Sequence, residues 1–358
     1  MSTLIVEVCE IKTVRPHSNA DRLELVEVKG WTCVVQKDKY KVGDKVVYFP
    51  PDTLMPNALA DKLGITKYCS PLPKLADGTR PDGMRVRASR FRGEQGFGTV
   101  QDPDDPTWPV GMSVIEHYGV TKYEPPPKPV AGDALPSVEL FQHYTDIENF
   151  RNYPDVLQNG EDVVIDEKIH GTNSRVGYLP IGENGAMEFV AGSHNTRRKE
   201  MNDKGVVSVY WKPMTADMRA MLMEISGEDK KSVIVFGEIY GGSTQDMKYG
   251  LNESTFRCFD ILVNGKYLDY DIRMDWFKKY NIESAPSLYR GPFSKEKLLE
   301  LTDGPTTLCD ATIAGKFKGR EGVVVRPTVE RFDRKLHRVI LKSISVDYLE
   351  RRDGTEYH

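Results

Sequence analysis

The sequence predicts an α+β protein of two domains, an all-β domain at the N-terminus and a larger mixed domain after it. Three observations carry that reading. The first 50 residues hold four short apolar or alternating runs, separated by turn residues. A stiff proline-rich stretch, Glu124 to Pro129, then interrupts the composition. Beyond it, strand-like and helix-like runs intermingle without regular β–α alternation. A chain of 358 residues is long enough for such a division.

The expected elements follow in order. Residues 4–8, 23–28, 31–35 and 45–49 read as strands of the first domain, residues 1–123. Residues 124–137 form the linker, and residues 138–358 the second domain. There, strands are expected at 162–165, 233–236, 257–262, 322–326 and 338–341, and helices at 215–225, 274–280 and 294–301. No internal repeat is present.

Bulk properties exclude several classes. Charged residues are 28% and the net charge is −4, so affinity for a polyanion must come from local patches. No apolar run is long enough for a membrane span. The N-terminus has no signal-peptide layout. Five scattered cysteines, with no closely spaced pair, argue against a disulfide framework or structural zinc and for a reducing, cytoplasmic compartment.

The most informative segment is VVIDEKIHGTNSRVG, residues 163–177. An apolar strand ends on Asp166 and Glu167, and Lys168 then enters a turn closed by Gly171. An ammonium at the end of a buried strand is costly unless paired. A deprotonated lysine in such a place is a nucleophile. Downstream come Gly192 to Lys199 with two arginines, Phe236-Gly-Glu-Ile-Tyr-Gly241, Phe259-Asp-Ile261, Glu321-Gly-Val-Val-Val-Arg326 and Leu341-Lys342. Glu238, Asp260 and Glu321 offer hard oxygen ligands suited to Mg²⁺. Phe259 offers a flat face for a base. A second K-x-x-G at Lys316 lacks this series behind it.

In that order the segments resemble the motifs of the covalent nucleotidyltransferases, the superfamily of ATP-dependent RNA and DNA ligases and capping enzymes. The resemblance implies a nucleotidyltransferase domain of ATP-grasp-like ligase type. It implies a lysyl-AMP intermediate on Lys168, catalytic help from Lys342 and Arg197, and ATP with Mg²⁺ or Mn²⁺. Nucleotide contacts are implied for Glu167, Ile169, His170, Asn173, Glu238, Phe259 and Arg338, and metal contacts for Glu321, Asp260 and Glu238. The motif Ia arginine is Arg197 or Arg198. Motif V departs from the family's two lysines, keeping Lys342 alone, with Arg338 as the candidate replacement charge. His170 in Lys-Ile-His-Gly and Asn173 resemble the RNA ligase 2-like group. With the segment 144–151, the whole chain resembles the Deinococcus-type and Naegleria-type nick-sealing RNA ligases.

The segment 16–24, PHSNADRLE, resembles the opening of tRNA-binding OB-fold modules. That resemblance implies an OB-type β-barrel for the first domain. Within it, 17 Lys+Arg balance 17 Asp+Glu over residues 1–125. Arg85, Arg87, Arg90 and Arg92 nevertheless crowd together with Phe91 and Phe97, which suits phosphate contact and base stacking. The region 314–342 is also basic, with nine positive residues against three negative. The implied partner is RNA or an RNA-containing nicked duplex, with no membrane and no obligate protein partner evident. The alternatives are a DNA ligase, a capping-type enzyme, or a non-catalytic RNA-binding OB protein. Lys-Ile-His-Gly in place of Lys-x-Asp-Gly disfavours the first two.

Overall fold

The computed structural model describes residues 3–75, 77–124, 132–310 and 319–351. The chain divides into two units, Met1–Pro126 with Leu349–Tyr357, and Pro127–Tyr348 with His358. Pro125, Pro126, Pro127 and Pro129 of the linker, and Lys316 and Lys318, lie outside the described residues.

The first unit is built of short antiparallel strands. Glu7–Glu10, Lys45–Phe49 and Thr99–Gln101 form one sheet, and Thr13–Pro16, Leu23–Val28 and Trp31–Gln36 a meander. Lys29 and Gly30 both take positive φ, which suits the tight hairpin between the second and third strands of that meander. Val8, Val47, Phe49, Met55 and Val86 fill the core. His17 is buried: Nδ1 accepts from Asn19 N at 3.0 Å and Nε2 donates to Phe91 O at 2.9 Å. The His-Ser-Asn run therefore ties a loop to the Ala88–Phe91 strand.

In the second unit two sheets face each other. The seven-stranded sheet runs in spatial order Ala134–Leu135, Arg197–Arg198, Met187–Ser193, Thr172–Pro180, Val233–Tyr240, Thr255–Val263, Lys266–Tyr267. The five-stranded sheet runs Glu148–Asn149, Leu341–Ile344, Gly322–Pro327, Asp162–Lys168, Ser287–Pro292. Leu179, Val190, Ile234, Phe236 and Leu262 from the first sheet meet Val324 from the second and Ile340, just before its Leu341–Ile344 strand. The outer face of the larger sheet packs on helices Ala216–Ser226 and Tyr270–Lys279 through Met218, Met221, Leu222 and Phe277. Thr215 caps the first of these by accepting from Met218 N. Helix Lys295–Thr302 covers the smaller sheet with Leu298. Among the described residues no helix is long and apolar enough to cross a membrane, and all five cysteines are free.

Two strands, Thr172–Pro180 and Met187–Ser193, were not expected from the sequence. Polar Thr172, Asn173, Ser174 and Arg175 hide the alternation, because they face protein and not water. The strand expected at 338–341 lies later, at Leu341–Ile344, after a break at Val339-Ile340.

Candidate active site

The turn Ile169–Gly171 carries the chain from the smaller sheet to the larger one. Gly171 is required there, since a Cβ would lie 2.2 Å from Ile239 O. Strand alternation sets what precedes it. Val163, Ile165 and Glu167 face outward, where Val163 and Ile165 join the outer core. Asp166 and Lys168 face the space between the sheets, Asp166 opposite Val324 and Lys168 opposite Gly322.

Lys168 is largely buried, and its Nζ donates to Glu321 Oε1 at 2.5 Å. Glu238 lies on Val233–Tyr240 opposite Asn173. Burial pushes its carboxyl up to about 8; Lys168 and His170 oppose the shift, and Glu321 adds to it. Asn173 Oδ1 is buried without a hydrogen-bond partner among the described residues. Two carboxyls and one orphaned acceptor around a single lysine leave room for a cationic or hydrogen-bonding ligand. No group of three or more His, Cys, Asp or Glu is pre-assembled for a metal among the described residues. The pair Glu238 and Glu321 fits a hydrated divalent ion, which keeps several waters and takes one or two carboxylates.

The loop after Lys168 is tightly held. His170 Nε2 donates to Asp246 Oδ1 at 2.7 Å, and its Nδ1 accepts from Tyr348 OH at 2.9 Å, a tautomer assigned from these partners. His170 N donates to Tyr249 OH at 2.8 Å, and Gln245 Nε2 to Gly171 O at 3.0 Å. Gln245, Asp246, Tyr249 and Tyr348 escaped the sequence reading. The first three fall in a glycine-flanked polar stretch, residues 241–250, with no periodicity to mark them, and Tyr348 lies far along the chain.

Several expected site residues lie elsewhere. The Asp260 carboxylate, expected at the metal, is taken up by protein donors. Its Oδ2 accepts from Arg326, Arg338 and Tyr144 OH, each at 2.7 Å, and Oδ1 from Arg273 at 3.4 Å. Burial works against its charge, yet these guanidiniums hold the carboxyl far below the usual range. Arg338 is not available to a nucleotide: it is bound to Glu330 and Asp260, and lies 3.4 Å over the Tyr267 ring. The Glu167 side chain points to the outer face, where it accepts from Thr306 Oγ1 at 2.5 Å and Thr307 N at 2.8 Å. It anchors that segment and does not line the lysine's side.

Other expected residues do lie on the inner faces. Phe259 is the extra residue of a bulge, since Phe236 pairs with Asp260 and Gly237 with Cys258. Its ring centroid sits 4.8 Å from that of Tyr144. Lys342 is buried opposite Val324, one row along from Gly322. Ile169 is buried in the crossing turn. Arg197 pairs with Gly192, in the row of Arg175 and Phe236, and has no ion pair with a described residue. Arg198 turns to Asp133 at 2.6 Å, so the alternation separates the two candidates.

In the first unit most of the arginine cluster is engaged. Arg85, expected to meet nucleic acid, lies 2.5 Å from buried Asp52 and stacks over Tyr123. Arg87 donates to Arg351 O at 2.8 Å, and Arg90 to Glu350 at 2.6 Å. Arg92 is exposed, with no ion pair to a described residue.

A family model described as RNA ligase matches residues 161–344, just over half of the chain, and an OB-fold domain model matches residues 5–102. No curated protein matches by sequence. Among solved structures, an apo variant of Naegleria gruberi RNA ligase is similar with TM-score 0.74 and 24% identity, covering 99% of this chain and 100% of that one. A variant of the same enzyme with ATP and Mn gives 0.75 and 24%, covering 98% and 100%. Its complex with pyrophosphate gives 0.72 and 23%, covering 99% and 100%. At these identities the likeness shows the fold, an OB-fold domain followed by a nucleotidyltransferase-like domain.

Proposed function

The chain belongs to the RNA ligase family, and from that premise we propose that it seals 3′-OH/5′-phosphate nicks in RNA-containing duplexes with ATP, through a lysyl-AMP intermediate. The observation that carries the proposal is the buried Lys168–Glu321 contact beside the high-pKa carboxyl of Glu238.

In the first step Lys168 Nζ, having given up a proton, attacks the α-phosphate of ATP. The N–P bond forms, the bond from the α-phosphorus to the bridging oxygen breaks, and pyrophosphate leaves. AMP then passes to a 5′-phosphate, and a 3′-hydroxyl displaces it to close the strand. Glu321 is placed to receive the lysine's proton or to hold a divalent ion, and Glu238 shares the second task. The ion supplies charge stabilisation to the transferring phosphoryl group. Lys342 and Arg197 face the same space and suit the phosphates. The related Naegleria enzyme, solved with ATP and Mn and with AMP and Mn, supports ATP and a divalent metal here. The OB-fold domain suits a polynucleotide substrate, and the free cysteines suit a reducing, cytoplasmic compartment.

Incubation with labelled ATP tests the reading. A covalent, acid-labile adenylate on the parent protein and sealing of a nicked RNA duplex are the expected results. Label from GTP but not ATP, or sealing confined to all-DNA nicks, overturns it.

A further inference from the structure

Between the strands Gly322–Pro327 and Leu341–Ile344 the chain leaves the sheet as a hairpin, Phe332–Asp333 paired with His337–Arg338. Its tip is unusual for a soluble surface. Phe332 is 74% exposed, the highest value among the exposed large hydrophobics of the described chain. Arg334, Lys335 and His337 are exposed around it. The side chains of Arg334 and Lys335 make no hydrogen bond or ion pair with a described residue.

The display is rigid. Asp333 Oδ1 accepts from Lys335 N at 2.8 Å and Leu336 N at 3.1 Å, which fixes the turn. Leu336 is buried in the outer core of the smaller sheet. Arg331 clamps the base, with Nε on Glu161 Oε1 at 2.5 Å and Nη2 on Val156 O at 2.7 Å. Arg338 closes the other side on Glu330 at 2.6 Å. A flexible loop would lose entropy on binding; this one is ordered beforehand.

We propose that this hairpin is a polynucleotide-binding element, with an unpaired base of the substrate strand stacked on Phe332 and the neighbouring phosphates on Arg334 and Lys335. An exposed aromatic set among unpaired cations is the combination that single-stranded nucleic acid requires: a π-face for any base and positive charge for the backbone. The inference rests on the ligase reading and adds a contact remote from the chemistry. The hairpin leaves the Pro327 end of its strand, five residues from the Gly322 end beside Glu321, or about 17 Å at about 3.3 Å per residue. It therefore meets a single-stranded flank away from the break, and takes no part in adenylylation.

The test uses the full chain and nicked RNA duplexes with and without a single-stranded overhang. For Phe332→Ala, KM for the overhang substrate should rise about tenfold. The blunt substrate should change little, Phe332→Trp should restore the parent value, and adenylylation from ATP alone should stay unchanged. Arg334→Ala with Lys335→Ala should flatten the salt dependence of binding by roughly 0.7 per lost contact on a single strand. If the parent adenylylates but these variants bind and seal the overhang substrate as the parent does, the inference is overturned. If the parent does not adenylylate at all, the failure belongs to the ligase reading.

Discussion

Two charged clusters share the space between the sheets of the second unit, and they are built on opposite principles. One strand contributes Asp166 to the first and Lys168 to the second; the strand it pairs with contributes Arg326, and Glu321 just before its start. In the first cluster Asp166, Asp260 and Glu330 meet Arg273, Arg326 and Arg338, with Tyr144 donating as well. The acceptors of Asp260 are all occupied, and the polar atoms left over are guanidinium nitrogens with nowhere to go. In the second cluster two carboxyls share one lysine, one carboxyl is pushed up to about 8, and an amide oxygen lacks a donor. A cluster whose carboxylate acceptors are filled holds sheets together. An unsaturated one, a few ångströms along the same strands, is poised for a ligand.

The largest expected effect breaks the second cluster at its centre. Lys168→Ala should abolish the adenylate formed from labelled ATP, while Lys316→Ala should still form it. An adduct on the Lys168 variant would remove the nucleophile from this site altogether.

The next effect sets the clusters against each other. Glu321→Ala should slow adenylylation about 10²–10³-fold, as loss of one preorganised electrostatic contact does, with the fold intact. Asp260→Ala should instead cost about 3–5 kcal/mol of stability, because it strands buried guanidiniums. Denaturant titration and single-turnover adenylylation, run on both, separate the two outcomes. The milder Asp260→Asn, if folded, should need the same metal concentration as the parent; a shifted requirement would return Asp260 to the metal.

A smaller effect follows from the proton on Glu238. Its carboxyl rises from 4.5 to about 8 in the folded protein. The folded state thus holds a proton that the unfolded chain has released. That contribution to stability is fully present below about 4.5 and is lost as pH rises through about 8. Glu238→Gln should flatten the decline of Tm across this window. A decline as steep as the parent's would place the proton on another group.

Lys168, Glu238 and Glu321, which the structure brings together, were legible because they fall in motifs that follow one another in a fixed order along the chain. The sequence blurred Asp260 and Arg338, because a carboxylate ligand and a carboxylate buried under three guanidiniums look identical as letters. The outward turn of Glu167 was readable in principle, since the period of two that points Lys168 inward must point its neighbour outward. The partners of His170 were not readable. Asp246 and Tyr348 reach it across 76 and 178 residues of chain, and nothing local marks them. The strands Thr172–Pro180 and Met187–Ser193 were obscured because the site's own polar residues replace apolar ones on the buried face.

The smallest expected effect asks whether the same distinction, saturated against unsaturated, sorts the arginines of the first unit. Arg85 lies 2.5 Å from Asp52, itself buried, and its guanidinium stacks 4.2 Å over the Tyr123 ring. It is to this unit what Arg326 is to the other. Arg92 sits at the turn between Ala88–Phe91 and Glu94–Phe97, exposed and without an ion pair to a described residue. A phosphate can reach Arg92 without breaking an ion pair to a described residue, whereas recruiting Arg85 would break its ion pair with buried Asp52. Arg92→Ala should therefore weaken RNA binding a few-fold and reduce the slope of log affinity against log salt by roughly 0.7–0.9, with Tm unchanged. Arg85→Ala should lower Tm and leave that slope as it was. The reverse pattern, a flattened slope with Arg85 removed and none with Arg92, would mean that pairing in the free protein does not decide which cations meet nucleic acid.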